Sequence, residues 1–126
     1  MTQIDTKRVY TDPHGNDGYR VFIDRFWPRG ESKEKFHYDL WAKEIAPSDA
    51  LRHWFHENPD GRWEEFASRY MDELNSSPQA LALAQSLTAY PLVTLLYASR
   101  DTIHNNAVVL ARYLDEHINA TQPKNT

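Results

Sequence analysis

The stretch YRVFIDRFWPRG, residues 19–30, decides how this chain is interpreted. Val21, Phe22 and Ile23 are consecutive apolar residues, which indicate a strand that is covered on both faces. The charged, ring-bearing loop DRFWPRG, residues 24–30, follows at once, and its proline and glycine prevent the strand from continuing. A buried strand that ends in such a loop predicts one wall of a polar binding site.

A second buried strand is predicted near the end of the chain, and polar residues follow it as well. Residues 92–97, LVTLLY, are β-prone and almost all apolar, and SRDTIHNN comes soon after at residues 99–106. In an open α/β sheet, ligands bind beyond the carboxyl ends of the strands. If the two strands are neighbours, their polar loops share one edge of the sheet.

The rest of the chain is predicted to form one more strand and several helices. Weak alternation indicates a strand over Lys7–Thr11, and turn-forming residues indicate an exposed loop over Asp12–Gly18. Apolar residues recur every three or four positions in the helical segments. Helices are predicted after a cap at Ser48, after a cap at Asp60, over Pro78–Ala89 and over Ile103–Asn119, the last with Asp101 or Thr102 as its cap.

The long connection between the first buried strand and the helices is less regular. Residues 32–35 suit a helical turn, and residues 36–45 suit either a short helix or irregular packing. Strands that alternate with helical segments imply parallel pairing through crossovers. We therefore predict an α/β fold, a small single-domain layered structure with a short, mostly parallel sheet flanked by helices. The domain is expected to span residues 1–126, with an ordered core over 6–117 and a flexible tail over 118–126.

Composition excludes several classes of function. The chain has 126 residues and a net charge of -4, so a protein that coats nucleic acid by bulk charge is not expected. It has no cysteine, which removes disulfides, thiolate catalysis and cysteine-based metal sites. No signal peptide or membrane span is predicted, and we expect a cytoplasmic protein. Glycine-rich phosphate loops and serine nucleophile elbows are missing from the sequence, so we expect no cofactor.

The two polar loops supply the candidate site residues. A helix that begins after the second strand would offer backbone N–H groups to an anion, and arginines would add positive charge. His104 is the candidate proton carrier, with Asp24 or Asp101 to orient it. The candidate ligand-binding residues are Arg25, Trp27, Arg29, Lys43, Ser99, Arg100 and Asn105.

Structural roles compete with each of these assignments. Arg25 and Arg29 could pair with nearby carboxylates, and Trp27 could belong to the core. Asp101 is a stronger candidate for a helix cap than for a catalytic acid. His53 and His56 lie three residues apart on a predicted helix, but no third ligand of matching spacing is evident, and we predict no metal site.

Four stretches of this sequence resemble the YeaO-like proteins, domain-of-unknown-function family 488. They are YRVFIDRFWPRG, DLWAKEIAPSDALRHWF, RWEEFASRYMDEL and VTLLYASRDTIHNNAVVL, and they run in order from about Lys7 to Leu114. The resemblance implies a small bacterial protein and a set of motif positions, without an established activity. Those positions are Asp24, Arg25, Trp27, Pro28, Arg29, Gly30, Trp41, Lys43, Ala46, Pro47, Ser48, Asp101, His104 and Asn105.

The sequence departs from the family pattern at three places. Arg100 stands where lysine is common, which keeps the charge and changes its geometry. HENPDG, residues 56–61, replaces a shorter HDP turn. The cysteine-histidine pair that some larger relatives carry near the last strand has no counterpart, so thiol chemistry does not transfer.

Two hypotheses about function follow. The first is an α/β domain that binds a small anionic or phosphorylated molecule at the carboxyl edge of its sheet, with or without catalysis. The second is a non-catalytic module that binds a protein or a nucleic acid, and the acidic net charge makes nucleic acid the weaker branch. A homo-oligomer is compatible with either, and a metal hydrolase lacks a ligand set.

Overall fold

A parallel four-stranded sheet forms the centre of the protein. The computed structural model describes residues 2–11 and 16–119. The strand order is β1–β4–β2–β3, and all three pairings are parallel. The strands are β1 (Gln3–Arg8), β2 (Tyr19–Phe22), β3 (Leu40–Trp41) and β4 (Leu92–Tyr97). This arrangement confirms the predicted small α/β fold with a parallel sheet.

Four α-helices follow the sheet strands in the described residues. They are α1 (Asp49–His56), α2 (Pro59–Asn75), α3 (Pro78–Leu87) and α4 (Asn106–Asn119), and a 3-10 turn spans Lys43–Ile45. The predicted cap at Ser48 is confirmed, because its side chain accepts the N–H of Leu51. Proline occupies the first turn of α3, where a missing N–H costs nothing.

The two faces of the sheet are covered in different ways. Val21 and Leu95 lie on the face that packs against the helices, within the larger apolar cluster. Phe22 and Leu96 lie on the other face, within a smaller cluster that includes Phe36. Trp27 of the β2–β3 connection and Trp41 of β3 pack against this cluster. Both faces are therefore buried, which explains why the central strands contain consecutive apolar residues.

Strand boundaries differ from the predictions where the sequence pattern is weak. The first strand covers Gln3–Arg8 rather than Lys7–Thr11, because it pairs in register with all of β4 and the chain turns at Val9 and Tyr10. β2 ends at Phe22, although the N–H of Ile23 still bonds to Leu96 O at 3.1 Å. β3 has two residues, too few for periodicity to reveal, and it replaces the predicted helix or irregular packing at that point.

Two predicted helix starts are wrong for a common reason. Asn58, and not Asp60, caps α2 by accepting the N–H of Gly61 at 3.2 Å. α4 begins at Asn106 rather than Ile103, and Asn105 Oδ1 accepts the N–H of Val108 at 3.2 Å. Each segment offers two side chains that suit a cap, and tertiary packing selects between them.

The described residues include only part of the predicted terminal segments. α4 continues to Asn119, whose Nδ2 donates to Thr2 O at 3.0 Å, so ordered structure passes both predicted core limits. The remainder of the predicted tail, residues 120–126, and residues 12–15 of the predicted loop lie outside the described residues. Among the helices that are described, none is both long and apolar enough to span a membrane.

Candidate functional site

A pocket of about 340 Å³ lies beyond the carboxyl ends of β2 and β4. These strands are neighbours, with Phe22 opposite Leu96 in the register. The loop that follows each strand therefore reaches the same edge of the sheet, as the sequence predicts, and both loops line the pocket. The volume lies near the lower end of the range of pockets that hold small ligands.

The pocket brings together most of the candidate residues and leaves three outside. Those that line it are Asp24, Arg25, Trp27, Arg29, Ser99, His104 and Asn105. Lys43 lies elsewhere, with its Nζ 5.0 Å from the ring centre of Trp41. Arg100 and Asp101 are exposed and do not line the pocket.

Helix α1 contributes three pocket residues that are not among those predicted from the sequence. Arg52 and His56 line the pocket, together with Phe55 from the same helix. Arg52 and His56 are four residues apart, so they share one face of the helix. That spacing was a usable signal, but only tertiary packing shows that this face reaches the ends of the strands.

Among the described residues, Asp24 is the one carboxyl group in the pocket lining. Its Oδ2 accepts the N–H of Ala98 at 2.9 Å, which ties the end of β2 to the end of β4. Burial raises the pKa of Asp24 from 3.8 to about 6, and the single hydrogen bond from Ala98 offsets this only in part. Asp24 therefore changes protonation state close to neutral pH.

Arg25 and Arg52 share one exposed carboxylate beside the pocket. Asp49 Oδ1 lies 3.5 Å from Arg25 Nε and 3.6 Å from Arg52 Nη2, too far for strong hydrogen bonds. Arg25 Nη2 donates to Pro47 O at 3.1 Å. The Nε atoms of both arginines are buried without a hydrogen-bond partner among the described residues. Much of the donor capacity of these two side chains is therefore unused by the protein.

Arg29 and Phe26 have the exposed side chains of the first loop, residues 24–30. The backbone carbonyl of Arg29 accepts the hydroxyl of Tyr10 at 2.9 Å, whereas its guanidinium makes no ion pair with any described residue. Phe26 is 60% exposed, and the guanidinium carbon of Arg52 lies 5.3 Å from its ring centre. The mouth of the pocket thus combines positive charge with an apolar ring.

His104 and His56 supply two imidazoles to the same pocket. His104 stacks on Trp63, with ring centres 4.7 Å apart, and its Nδ1 is 4.0 Å from Asp101 Oδ2, beyond hydrogen-bond range. Asp101 Oδ1 instead accepts the N–H groups of Ile103 and His104, both at 2.9 Å, and these bonds lower the pKa of Asp101. Burial first, and then the charges of Arg52 and His53, lower the pKa of His56.

Trp27 and Asn105 hold the walls of the pocket in place. The indole Nε1 of Trp27 donates to Glu31 O at 2.7 Å, and its ring packs edge-on against Phe36 at 5.4 Å. Asn105 is 2% exposed, and its Nδ2 donates to Asp101 O at 2.9 Å. Both side chains are committed to protein contacts, so their main effect on a ligand is to fix the shape of the pocket.

The described residues contain no group of three or more side chains arranged to hold a metal ion. His53 and His56, the only pair that the spacing suggests, lie on α1 without a third ligand among these residues. Arginines dominate the polar lining instead, and they bind anions rather than cations.

Fold and pocket together define a class: a small α/β protein with a parallel sheet and an arginine-lined pocket at the carboxyl edge of that sheet. Residues 3–126 match the family described as "Inactive DUF488-N3 subclade". The chain belongs to this DUF488 family, which confirms the resemblance seen in the sequence motifs.

Known relatives extend over nearly the whole chain. It is 43% identical over 113 residues to the uncharacterized protein YeaO of Escherichia coli, covering 88% of this chain and 96% of that protein. It is also 43% identical over 114 residues to the uncharacterized protein Rv3073c of Mycobacterium tuberculosis, covering 90% of this chain and 95% of that protein. No solved structure matches the chain.

Proposed function

We propose that the protein binds a small anionic molecule in the pocket at the carboxyl edge of its sheet and does not transform it. One observation carries the proposal: three arginines and two histidines line the pocket against a single carboxyl group. The arginines are Arg25, Arg29 and Arg52, and Asp49 beside them offsets only part of their charge. A concave site with surplus guanidinium donors favours carboxylate or phosphate groups.

Two features favour binding over turnover. His104, the candidate proton carrier, stacks on Trp63, and no carboxylate of the described residues lies within hydrogen-bond range to orient it. Its nearest acid, Asp101, uses Oδ1 to close a turn of the backbone. The family description also carries the word "inactive", and we extend that word to this chain.

The proposal is tested by calorimetric titration with phosphate, sulfate, benzoate and phenyl phosphate. We expect at least one of these anions to bind, and we expect the double variant Arg29→Gln/Arg52→Gln to bind it about tenfold more weakly or worse. These two guanidinium groups make few contacts within the protein, so the variant should still fold. If no anion binds, the proposed function is wrong.

Arg112→Gln is the matched control for loss of positive charge. Arg112 is an exposed arginine of α4 and does not line this pocket. Its removal should change anion affinity by no more than about twofold, because exposed charges at a distance are screened by salt. Release of phosphate from phenyl phosphate by the purified protein would show turnover and contradict the non-catalytic part of the proposal.

One observation favours a second candidate function, contact with a protein surface. Ile103 is 70% exposed and adjoins His104, and Phe26 at the pocket mouth is 60% exposed. Large exposed apolar side chains are typical of interaction sites. Self-association is the simplest form of this function, and sedimentation velocity over a concentration series measures it. The variant Ile103→Ser should lower any association while leaving anion binding in place, because Ile103 does not line the pocket.

A further inference from the structure

Asp24 occupies an unusual place in a pocket whose other charged groups are cationic. Its Oδ2 accepts one backbone hydrogen bond, from Ala98 at 2.9 Å. Its Oδ1 accepts none from the described residues, and no arginine among them lies within 4.0 Å of the carboxyl group. One oxygen of an ionisable group is therefore left to interact with whatever enters the pocket.

A carboxylate and an incoming anion repel each other unless a proton lies between them. An anion without hydrogen, such as sulfate, can accept hydrogen bonds from arginine but can offer nothing to Asp24. An anion that carries its own O–H can accept from the arginines and donate to Asp24 at the same time. The bond from that O–H to a carboxylate is charge-assisted and stronger than a bond between neutral groups.

We propose that the anionic group taken by this pocket is a protonated tetrahedral oxyanion of the hydrogenphosphate type, which donates its proton to the free oxygen of Asp24 while the arginines bind its other oxygens. The inference rests on the proposed function, because it specifies the chemistry of the anion in the same pocket. Asp24 is then a specificity-determining residue: it excludes anions that have no hydrogen to donate.

The apolar part of the lining bears on the source of the phosphate group. Phe26, Pro28, Pro47 and Phe55 line the pocket beside the arginines, and the cavity of about 340 Å³ exceeds what a lone phosphate fills. A small organic group attached to the phosphate would bury this apolar surface. Inorganic phosphate and phenyl phosphate form the two arms that separate a free ion from an organic monoester. They are compared at pH 5.5, because a phosphate monoester loses its last proton with a pKa of about 6 and has no O–H to donate at pH 7.5.

Other ionisable groups face Asp24 and respond to the same changes of pH. Those in the lining are Tyr10, Arg25, Arg29, Arg52, His56, Tyr97 and His104. Tyr70 approaches from α2, but it is fully buried, its hydroxyl donates to Ile45 O at 2.7 Å, and burial raises its pKa far above neutrality. A pH experiment on anion binding therefore needs a control variant that changes Asp24 and keeps the other ionisable groups of the pocket.

The experiment compares phosphate with sulfate at pH 7.5, where both ions are largely divalent and only phosphate carries an O–H. We expect the wild-type protein to bind phosphate about tenfold more tightly than sulfate or better. In Asp24→Asn, the amide can still accept from Ala98 and can donate to sulfate, so the preference should fall below about threefold. Equal affinities in the wild-type protein would overturn the inference even if both ions bind.

Sulfate at lower pH gives a second measurement that does not depend on a change in the ligand. Sulfate stays divalent between pH 7.5 and pH 5, whereas Asp24 becomes protonated over this interval and can donate. The affinity for sulfate should therefore rise several-fold more in the wild-type protein than in Asp24→Asn. The histidines are present in both proteins, so they do not account for the difference. An equal rise in both proteins contradicts the inference.

The outcomes separate this inference from the function on which it rests. If neither phosphate, sulfate, benzoate nor phenyl phosphate binds, the proposed anion site fails and the inference fails with it. If anions bind without a preference for phosphate, the site stands and the inference alone fails. Should Asp24→Asn not fold, the phosphate-to-sulfate ratio of the wild-type protein decides the question. At pH 5.5, where both ligands carry an O–H, tighter binding of phenyl phosphate than of inorganic phosphate identifies an organic monoester, and the opposite order identifies the free ion.

Discussion

Two aspartates beside the sheet have opposite environments. Asp17 is 9% exposed, and Lys7 Nζ lies 3.0 Å from its Oδ2, while Arg20 Nη1 bonds to the same oxygen. Asp24, just past the end of β2, receives one backbone N–H and no cation within 4.0 Å among the described residues. Asp17 therefore forms ion pairs with two side chains of the protein, whereas Asp24 forms none with the described residues.

We interpret this difference as one between a structural role for Asp17 and the ligand-binding role that we propose for Asp24. A buried carboxylate that is paired on two sides holds its neighbours together, and here the carbonyl of Asp17 also accepts the hydroxyl of Thr94 at 2.6 Å. A carboxyl group left without a cation costs stability when it ionises. Proteins tolerate this loss of stability where the group interacts with a ligand, and carboxyl groups with perturbed pKa values are therefore common at functional sites.

Removal of the paired carboxylate should have the largest effect on stability. Asp17→Asn leaves Lys7 and Arg20 with their charges and without their partner, and we expect a loss of roughly 4 kcal/mol in the free energy of unfolding. Urea denaturation at pH 7.5 measures it. Asp5→Asn, an exposed aspartate of β1, serves as the control and should stay within about 0.5 kcal/mol of the wild type. Similar losses in the two variants would show that the cluster is not structural.

The same substitution at the unpaired carboxyl should have the opposite sign. The folded-state pKa of Asp24, about 6, exceeds the ordinary 3.8, so folded protein binds more protons than unfolded protein between these values. Stability therefore falls as pH rises from about 4 through 6, and ionised Asp24 costs up to about 3 kcal/mol at pH 7.5. Asp24→Asn should recover much of this.

The pH dependence distinguishes this explanation from a general effect of the amide. Denaturation curves of Asp24→Asn and the wild type should converge at about pH 3, below both the ordinary pKa of 3.8 and the folded-state pKa of about 6, where Asp24 is largely protonated in both the folded and unfolded states. A variant that is less stable at pH 7.5, or a difference that persists unchanged at pH 3, would contradict the raised pKa.

The sequence alone predicts the structural features that depend on a local pattern of residues. The apolar run Leu92–Tyr97 marks β4 with its observed bounds, and Ser48 marks the start of α1. The loops after β2 and β4 were predicted to share an edge if the strands are neighbours, which they are. A strand buried on both faces and a helix cap each depend on residues that are close together in the sequence, so a single sequence is enough to predict them.

Other features depend on residues that are distant in sequence. The cation cluster of Asp17 draws on residues 7 and 20, and turn-forming letters around Asp17 give no sign that it is buried. Arg52 reaches the pocket only because α1 packs near the end of β2. Asp101 and Asn105 are both able to cap a helix, and the observed start at Asn106 follows from the buried position of Asn105.

The smallest expected effect comes from comparing the hydroxyl of a buried residue with that of an exposed one. Thr94 lies within β4 and Ser99 follows this strand. Thr94 is buried and donates to the carbonyl of Asp17 at 2.6 Å, whereas Ser99 is exposed at the pocket and its Oγ accepts the N–H of Asp101 at 3.2 Å. Thr94→Val keeps the shape and leaves a buried carbonyl without its donor, so we expect a loss of about 1 kcal/mol. Ser99→Ala should lose less than about 0.5 kcal/mol by the same urea measurement, because water replaces the lost bond. Equal losses would mean that the hydrogen bond of buried Thr94 stabilises the protein no more than that of exposed Ser99.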